Sequence, residues 1–338
     1  MAYQVSGTNR IKDDNTVAFK NVTVKNHYVF APLGPVQGTT SGYNSGGQRT
    51  DPPSYAGSNI IDKFPFASDA NATDVGDLSE TNVQRQSSGS SSSSNGYVAG
   101  GSGTFTYPVA GARISVIDKF PFSVDGNASN IGDLVVATDF NSGNSSSTHG
   151  YSTGGSVPAS PYTINVIEKY SFSSDGNASD VGDLLNTVYR HRAQSSPSHG
   201  YASGGGPASK NVIQKFTFAS DANSTDVGDL LSDNDIPGGG NSSLTDGYVS
   251  GSSPNGNVIQ KFPFSSDTNA SDVGDLSQGR SSAAGQNSGS SGYVSGGSTF
   301  PPYVSANTID KFPFSSDTNA ADVGDLTQGR NDMAGQQV

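Results

Sequence analysis

The segment NTIDKFPFSSDTNAADVGDL, residues 307–326, decides the fold, because it and five close copies run along the chain of 338 residues. Each copy is anchored by one isoleucine, at intervals of 46 to 56 residues: Ile61, Ile117, Ile167, Ile213, Ile259 and Ile309. A second motif, Gly-Tyr followed by small residues and glycine, also occurs six times. Repeats of roughly 50 residues are typical of propeller blades and are longer than ankyrin, leucine-rich or tetratricopeptide repeats.

Each repeat contains four segments with strand character and none with a helical apolar period. In one repeat, residues 257–264 (NVIQKFPF) place apolar side chains at every second position, as a strand does. Residues 266–272 (SDTNASD) are dense in turn formers, and residues 272–276 (DVGDL) return to a strand. Small residues form 279–286 (GRSSAAGQ), and 292–297 (GYVSGG) ends at two glycines that permit a sharp turn. The sequence predicts an all-β fold.

The phase of the repeats predicts how the fold closes. No segment like GRSSAAGQ precedes the first Gly-Tyr motif, at residues 42–47, whereas GRNDMAGQQV at 329–338 follows the last repeat. We therefore expect a six-bladed propeller over residues 38–338, in which the C-terminal strand completes the first blade. Such closure removes the free sheet edge at the seam. Residues 1–37 form an N-terminal arm outside the repeat.

Composition narrows the function classes. The net charge of −12 disfavours long-range attraction to nucleic acid or to an anionic membrane. The chain contains no run of about 18 apolar residues, so we expect no membrane insertion. It contains no cysteine, which excludes disulfides and thiolate metal sites. The first thirty residues lack an apolar secretion-signal core, so an export signal is not expected.

The most regular polar pattern is Asp-x-Asn-x-x-Asp-x-Gly-Asp. Oxygen ligands at this spacing beside a glycine could hold Ca²⁺. The residues in two representative copies are Asp69, Asn71, Asp74 and Asp77, and Asp267, Asn269, Asp272 and Asp275. The same residue types also close turns through their own side chains, so a structural role remains the alternative.

The loops after the Gly-Gly pairs vary most between repeats. They carry aromatic residues, namely Phe105, Tyr107, Tyr162, Phe300 and Tyr303. Variable aromatic loops on a constant framework indicate a contact surface. Aromatic rings stack on sugars, so we expect a protein or glycan partner here.

A small basic cluster, Arg190, His191 and Arg192, interrupts one repeat. We expect these residues to be solvated or to face the channel, with an anion site as the alternative. His149 and His199 precede two of the Gly-Tyr motifs and have no neighbour at metal-ligand spacing, so a structural or surface role is expected.

Catalytic residues are not evident. Glycoside hydrolysis needs a pair of carboxyl groups, one of them with a raised pKa. The acids outside the repeated turns, Asp139, Asp233 and Asp235, have no evident carboxylate partner in the sequence. No Gly-x-Ser-x-Gly elbow lies on a strand-to-helix turn. We therefore expect a non-enzymatic protein without a cofactor.

The repeat resembles the kelch family of β-propellers. The matching pieces are residues 280–285, 293–297, 308–314 and 322–326. Kelch blades usually place a tryptophan in the outer strand, and this chain has none. The resemblance implies that leucines take that packing role: Leu78, Leu134, Leu184, Leu230, Leu276 and Leu326.

The arm MAYQVSGTNRIKDDNTVAFKNVTV and the IDKFPFxSDxNAxDVGDL repeat also resemble virion structural proteins of tailed phages that infect marine cyanobacteria. Apolar residues alternate in the arm at Val17, Phe19, Val22 and Val24, which suits docking to another protein or packing along the propeller. The resemblance implies a protein of the virion, in the tail or tail fibre, present in several copies. A capsid-decorating or tail-assembly subunit and a depolymerase or sialidase-like enzyme are the alternatives.

Overall fold

The structure is a computed structural model that describes residues 10–11, 17–18, 37–49, 56–79, 87–103, 112–207, 210–253, 256–301 and 303–338. The chain divides into two compact units, Met1–Pro32 and Leu33–Val338. In the first unit, Arg10–Ile11 pairs antiparallel with Val17–Ala18. The described residues contain no helix, and so none that is long and apolar enough to cross a membrane.

The second unit consists of six four-stranded antiparallel sheets, the blades of a β-propeller. Blades 1 to 3, each from the innermost strand outward, are Ala334–Gln337, Ser41–Ser45, Ile60–Pro65 and Thr73–Asp77; Ser88–Ser91, Asn95–Ala99, Val116–Pro121 and Ser129–Asp133; and Ser142–Ser145, His149–Ser156, Thr163–Ser171 and Ser179–Asp183. Blades 4 to 6 are Arg192–Ser195, His199–Ser203, Val212–Thr217 and Thr225–Asp229; Gly239–Ser242, Asp246–Ser252, Gly256–Pro263 and Ser271–Asp275; and Ala284–Asn287, Ser291–Ser295, Thr308–Pro313 and Ala321–Asp325.

The prediction of six blades is confirmed, and so is the closure. The C-terminal strand pairs with Ser41–Ser45 in a register that sets Gln337 opposite Gly42 and Ala334 opposite Ser45. The carbonyl oxygen of Val338 accepts a hydrogen bond from the amide nitrogen of Thr40 at an N–O distance of 2.6 Å. The innermost strand is shorter than the sequence suggests, since in blade 6 it begins only at Ala284. Arg280 and the residues after it form the connection that leads into this strand, and Arg280 is buried there.

Short two-stranded ladders extend three of the connections. Gln48–Arg49 pairs with Ala56–Gly57, Val188–Tyr189 with Gly206–Pro207, and Ser298–Thr299 with Val304–Ser305.

The core lies between blades, because the tyrosine of each second strand packs against two aromatic rings of the next blade. Ring centroids are 4.7 to 5.8 Å apart in the pairs Tyr43 with Phe120 and Phe122, Tyr97 with Tyr170 and Phe172, Tyr151 with Phe216 and Phe218, Tyr201 with Phe262 and Phe264, Tyr248 with Phe312 and Phe314, and Tyr293 with Phe64 and Phe66. Burying one such ring stabilises the fold by about 1.5 to 3 kcal/mol. The six anchoring isoleucines and the six outer-strand leucines are buried as well.

Small residues dominate the innermost strands because these strands nearly touch around the axis. The second residue of each four-residue strand is Gly335, Gly89, Gly143, Ala193, Gly240 or Gly285, in blade order. A Cβ added to Gly285 would approach the carbonyl oxygen of Gly240 to 1.9 Å, which no side chain tolerates. We call these six residues the axial waist.

Candidate functional site

The propeller has two faces, which carry different kinds of connection. Because the strands in each blade alternate in direction, the turns between first and second strands and between third and fourth strands share one face, the turn face. The connections between second and third strands and between one blade and the next share the other, the loop face. The Asp/Asn motifs therefore lie on the turn face, and the variable aromatic loops lie on the loop face.

On the turn face, the Asp/Asn motif joins neighbouring blades. The first aspartate of each copy binds the third-strand lysine of the preceding blade at 2.5 to 3.0 Å: Lys63–Asp125, Lys119–Asp175, Lys169–Asp221, Lys215–Asp267, Lys261–Asp317 and Lys311–Asp69. The asparagine accepts a backbone amide of the preceding outer strand, as Asn127 does from Asp77 at 3.0 Å. The motif is thus a ring of contacts between blades.

The proposed calcium residues take part in these contacts. Asp69 binds Lys311, and Asn71 accepts the amide of Asp325. Asp74 accepts a hydrogen bond from the amide of Gly76 within its own outer strand. In the second copy, Asp267 binds Lys215, and Asn269 accepts a hydrogen bond from the amide of Asp229. Asp272 accepts a hydrogen bond from the amide of Gly274. The last aspartate of each copy, Asp77 or Asp275, donates its backbone amide to the asparagine of the next blade. Within the described residues, no three acidic or histidine side chains form a metal cluster. Calcium at these turns stays a prediction.

On the loop face, the predicted aromatic contact residues that the structure describes are exposed. The exposed fractions are 64% for Tyr162, 51% for Phe300 and 47% for Tyr303. Tyr162 belongs to blade 3, whereas Phe300 and Tyr303 belong to blade 6, on the opposite side of the ring. Phe105 and Tyr107 lie outside the described residues. The rim aromatics therefore form separate contact points and not one patch.

A ring of buried acceptors beneath the loop face carries a signal that sequence reasoning missed. The residue after each anchoring isoleucine is Asp62, Asp118, Glu168, Gln214, Gln260 or Asp310, and each is buried. Each accepts the amide that follows the outer-strand leucine of the preceding blade, at 2.6 to 3.2 Å: Thr327, Ser79, Val135, Leu185, Leu231 and Ser277 respectively. Aspartate occurs where that donor residue also has a hydroxyl group, and the longer glutamate or glutamine occurs where it is aliphatic. This covariation between the acceptor residue and the donor residue can be seen by comparing the sequences of the six repeats.

Glu168 is the acid of this ring with a strongly shifted pKa. Burial raises the pKa of Glu168 to about 7, although hydrogen bonds from the amides of Val135 and Val136 oppose the shift. Glu168 is 2% exposed, so its carboxyl group is closed to a substrate. It acts as a structural acceptor.

Replacing Glu168 with glutamine should remove a pH dependence of stability. The folded-state pKa lies above the usual 4.5, so the stabilisation is fully present below that pH and is lost as the pH rises through 7. Between pH 5 and pH 8, the free energy of unfolding of Glu168→Gln should rise by about 2 kcal/mol relative to the unsubstituted protein. Urea denaturation at both pH values measures this change. The reciprocal variant Gln214→Glu should show the opposite trend, and parallel pH profiles in all three proteins would contradict the assignment.

The axis of the propeller contains two small cavities that meet at the axial waist. The cavity toward the loop face has a volume of about 80 Å³, and the cavity toward the turn face about 60 Å³. Serine, alanine, glycine, Asn141 and Met333 line the larger cavity, and Arg192 is the one charged residue among its described lining residues. Both cavities are too small for a sugar ring with its hydration shell.

Strained residues surround the mouth of the larger cavity. Phe140, Arg190, Ser282 and Asp332 have φ values of 55° to 61°, in the left-handed region that non-glycine residues rarely adopt. Each lies in the connection just before an innermost strand. The Arg190 guanidinium lies 4.1 Å from the centre of the Phe140 ring, a cation–π contact.

The basic cluster differs from the sequence expectation at one residue. His191 is fully buried, not solvated, and its Nε2 lies 2.9 Å from the Thr153 hydroxyl group. Burial lowers the pKa of His191 to about 3, so the ring is neutral at physiological pH. Arg190 and Arg192 are partly exposed. The cluster therefore contributes two cations to the axial mouth.

The remaining singled-out residues have local partners. Asp139 binds Arg113 at 2.9 Å, and Asp235 binds Lys210 at 3.1 Å. The Nδ1 atoms of His149 and His199 each lie 2.8 Å from a neighbouring hydroxyl group. These contacts fit structural roles.

No protein-family model and no curated protein matches the chain. The β-propeller assignment rests on the strand pairing itself.

Proposed function

We propose that the protein is a non-enzymatic structural component of a phage particle, in the tail or tail fibre, whose loop face binds another protein or a host-surface glycan. The observation that carries the proposal is that repeated and variable residues have different positions in the propeller. The repeated residues are used between blades, whereas the exposed aromatic residues Tyr162, Phe300 and Tyr303 lie in loops that differ from blade to blade. A rigid ring with variable loops suits display of contacts.

The virion part of the proposal is supported by the resemblance of the arm and the repeat to phage structural proteins. The arm would dock on other virion proteins. An enzymatic role is disfavoured because Glu168, the carboxylic acid with a raised pKa among the residues that the structure describes, is buried and bonded to backbone amides. The polysaccharide depolymerase or sialidase-like alternative needs such an acid within reach of a substrate.

The capsid-decorating or tail-assembly role is favoured by one observation. Tyr162 and the pair Phe300 and Tyr303 lie in blades on opposite sides of the ring. A partner that contacts all three must be broad, as a protein surface is, whereas a glycan segment would contact one side. Binding of a protein partner should therefore depend on both aromatic sites, whereas binding of a glycan should depend on only one of them.

Alanine substitution of the rim aromatics is expected to weaken binding to the partner by tenfold or more per site, because aromatic anchors dominate interfaces. The matched control is Val124→Ala, which removes a side chain that is 62% exposed on the turn face and should leave binding unchanged. Co-sedimentation with purified host-envelope polysaccharide and with particles that lack this protein tests both partners. Loss from one site alone indicates a glycan, and loss from both indicates a protein. Equal binding by all variants, or cleavage of the polysaccharide with turnover, would overturn the proposal.

A further inference from the structure

Arg190 lies at the loop-face mouth of the axis, and its guanidinium group has no hydrogen-bond or ion-pair partner in the described part of the chain. Its Nε is enclosed without a hydrogen bond, whereas Nη1 and Nη2 remain accessible to solvent. None of its N–H donors is therefore used within the protein. A half-buried cation with unused donors favours an acceptor that comes from outside the chain.

Aromatic stacking holds the guanidinium group in place and leaves its N–H groups free. Its central carbon lies 4.1 Å from the centre of the Phe140 ring and 5.8 Å from that of the Tyr189 ring. The amide of Arg190 also donates to the carbonyl oxygen of Phe140 at 2.9 Å, which ties two successive connections together. An arginine stacked on an aromatic face presents its in-plane N–H groups as a fork that matches the two oxygens of a carboxylate.

The fold does not require a cation at this position. Arg190 lies two residues before an innermost strand, and the equivalent residues of blades 1, 3, 5 and 6 are Asp332, Phe140, Pro237 and Ser282. Three amide-to-carbonyl bonds of 2.9 to 3.1 Å join successive members of this series, and these bonds do not depend on the side chain. Blade 4 therefore carries an arginine where other blades carry neutral or acidic residues.

The charges around Arg190 favour a single negative group. Arg192 is a second cation nearby: burial lowers the pKa of Arg192 to about 10, Asp332 opposes that shift, and the charge of Arg190 adds to it. Asp139, at the same mouth, is already bound to Arg113 at 2.9 Å. The net charge of −12 disfavours long-range attraction of a polyanion. One carboxylate on an otherwise uncharged molecule suits both conditions.

An exposed tyrosine beside the mouth favours a sugar as the bearer of that carboxylate. Tyr162 is 64% exposed, in the loop that follows the strand ending at Ser156. Ser156 exchanges backbone hydrogen bonds of 2.7 and 3.1 Å with Asp139, the residue before Phe140. The tyrosine loop and the Arg190–Phe140 stack are therefore neighbours on the loop face. A tyrosine ring packs on the face of a sugar, and an arginine binds its carboxylate.

We propose that the loop face binds an acidic sugar, whose carboxylate is held by Nη1 and Nη2 of Arg190 and whose ring, or that of the next sugar, packs on Tyr162. The inference rests on the glycan branch of the proposed function and names the class of glycan. A carboxylate on a protein side chain has the same charge, and the experiment below separates the two sources.

Isothermal titration with two acidic oligosaccharides, at constant ionic strength set by sodium chloride, tests the site. The probes are sialyllactose and a xylotriose that carries one glucuronate. Each is compared with the same saccharide without its acid, lactose or xylotriose. The full chain should bind at least one acidic probe saturably and at least tenfold more tightly than the matching neutral saccharide, because only the acid forms the charged, bidentate bond.

Substitutions separate this bond from a general effect of charge. Arg190→Gln should weaken binding of the acidic probe at least tenfold and lower the melting temperature only slightly, because the side chain stacks but makes no hydrogen bond. Arg190→Lys keeps the charge without the fork, so it should also weaken binding several-fold. Tyr162→Ala should do the same. Lys210→Gln makes the same change in net charge at an exposed cation paired with Asp235, and it should bind like the unsubstituted protein.

Failure of both acidic probes to bind, or equal affinities of Arg190→Gln and Lys210→Gln, overturns the proposal. If Arg190→Gln does not fold, unchanged binding in both Arg190→Lys and Tyr162→Ala overturns it. A capped Ala-Glu-Ala peptide is titrated in parallel, and binding of this peptide without either sugar overturns the sugar assignment in favour of a protein. If both probes fail while host-envelope polysaccharide still co-sediments through Tyr162, the carboxylate site is wrong and the loop-face function stands.

Discussion

Deletion of residues 329–338 is expected to abolish the folded ring. The lost segment contains the innermost strand of blade 1, so Ser41–Ser45 would expose an unpaired edge at the most crowded part of the molecule. It also contains Arg330, whose loss leaves the buried Asp62 without its cationic partner. The unpaired carboxylate alone costs about 3 to 5 kcal/mol, and the lost strand adds to that cost, against a total stability of about 5 to 15 kcal/mol for an ordinary domain.

Circular dichroism during heating and size-exclusion chromatography measure the effect. The truncated chain should lack the cooperative unfolding transition and elute as an expanded or aggregated species. A synthetic peptide of residues 329–338 should restore the transition when added in excess, whereas a scrambled peptide should not. A truncated chain that melts at the temperature of the full chain would show that the seam does not stabilise the ring.

The closure of the ring by the C-terminal strand could be predicted from the sequence, because it follows from counting the repeated segments. Six copies of three segments and an unmatched fourth segment at residues 329–338 leave one arrangement in which each blade has four strands. The order of the four segments along the chain determines which strands share a blade, and the observed strand pairing agrees with that order. The buried aromatic positions could also be predicted from the sequence, because they recur with the period of the motif.

The contacts between blades could not be predicted, because they join residues that are far apart in the sequence and whose types look ordinary; the two pairs given next are 243 and 239 residues apart. Gln286 donates through its side-chain amide to the carbonyl oxygen of Tyr43 at 3.1 Å, and Gln336 donates in the same way to that of Tyr97. In the sequence these residues are polar positions in a segment of small residues. Their partners become evident only when the innermost strand of one blade is placed beside the second strand of the next blade.

The Asp/Asn motif shows the same limit. The spacing of Asp69, Asn71 and Asp74 suits a local ligand set, yet the first two side chains bind the preceding blade and the third binds an amide of its own outer strand. A pattern that repeats with the blade has two explanations, a local site or a contact with the neighbour. Sequence spacing alone does not separate them.

The axial cavity was indicated only in part. Arg190, His191 and Arg192 stood out because they break the repeat, but their sequence does not reveal that the middle residue is buried. Backbone direction decides this, since Arg190 adopts a φ of 61° and His191 turns inward to Thr153. Departures from a repeat thus locate candidate sites, while burial assigns their chemistry.

Replacing Arg330 with methionine is expected to lower the free energy of unfolding by about 3 to 5 kcal/mol, because it leaves a buried carboxylate unpaired. Arg330 Nη2 lies 2.6 Å from the Asp62 carboxylate, and both side chains are fully buried. Its Nη1 donates to the carbonyl oxygen of Gly46 at 2.7 Å, so a backbone acceptor would also lose its partner. Urea denaturation at pH 7 measures the change.

The double variant Asp62→Asn with Arg330→Met removes both charges and should recover at least about 2 kcal/mol of that loss, because the buried charge is the main cost. The neutral Gln214 and Gln260 already accept the equivalent amides in blades 4 and 5, so a neutral acceptor suffices at this position. The matched control is Lys311→Met, which breaks an exposed ion pair with Asp69 and should cost less than about 1 kcal/mol. If Arg330→Met and Lys311→Met destabilise the protein equally, the buried pair does not hold the seam and strand pairing alone must close the ring.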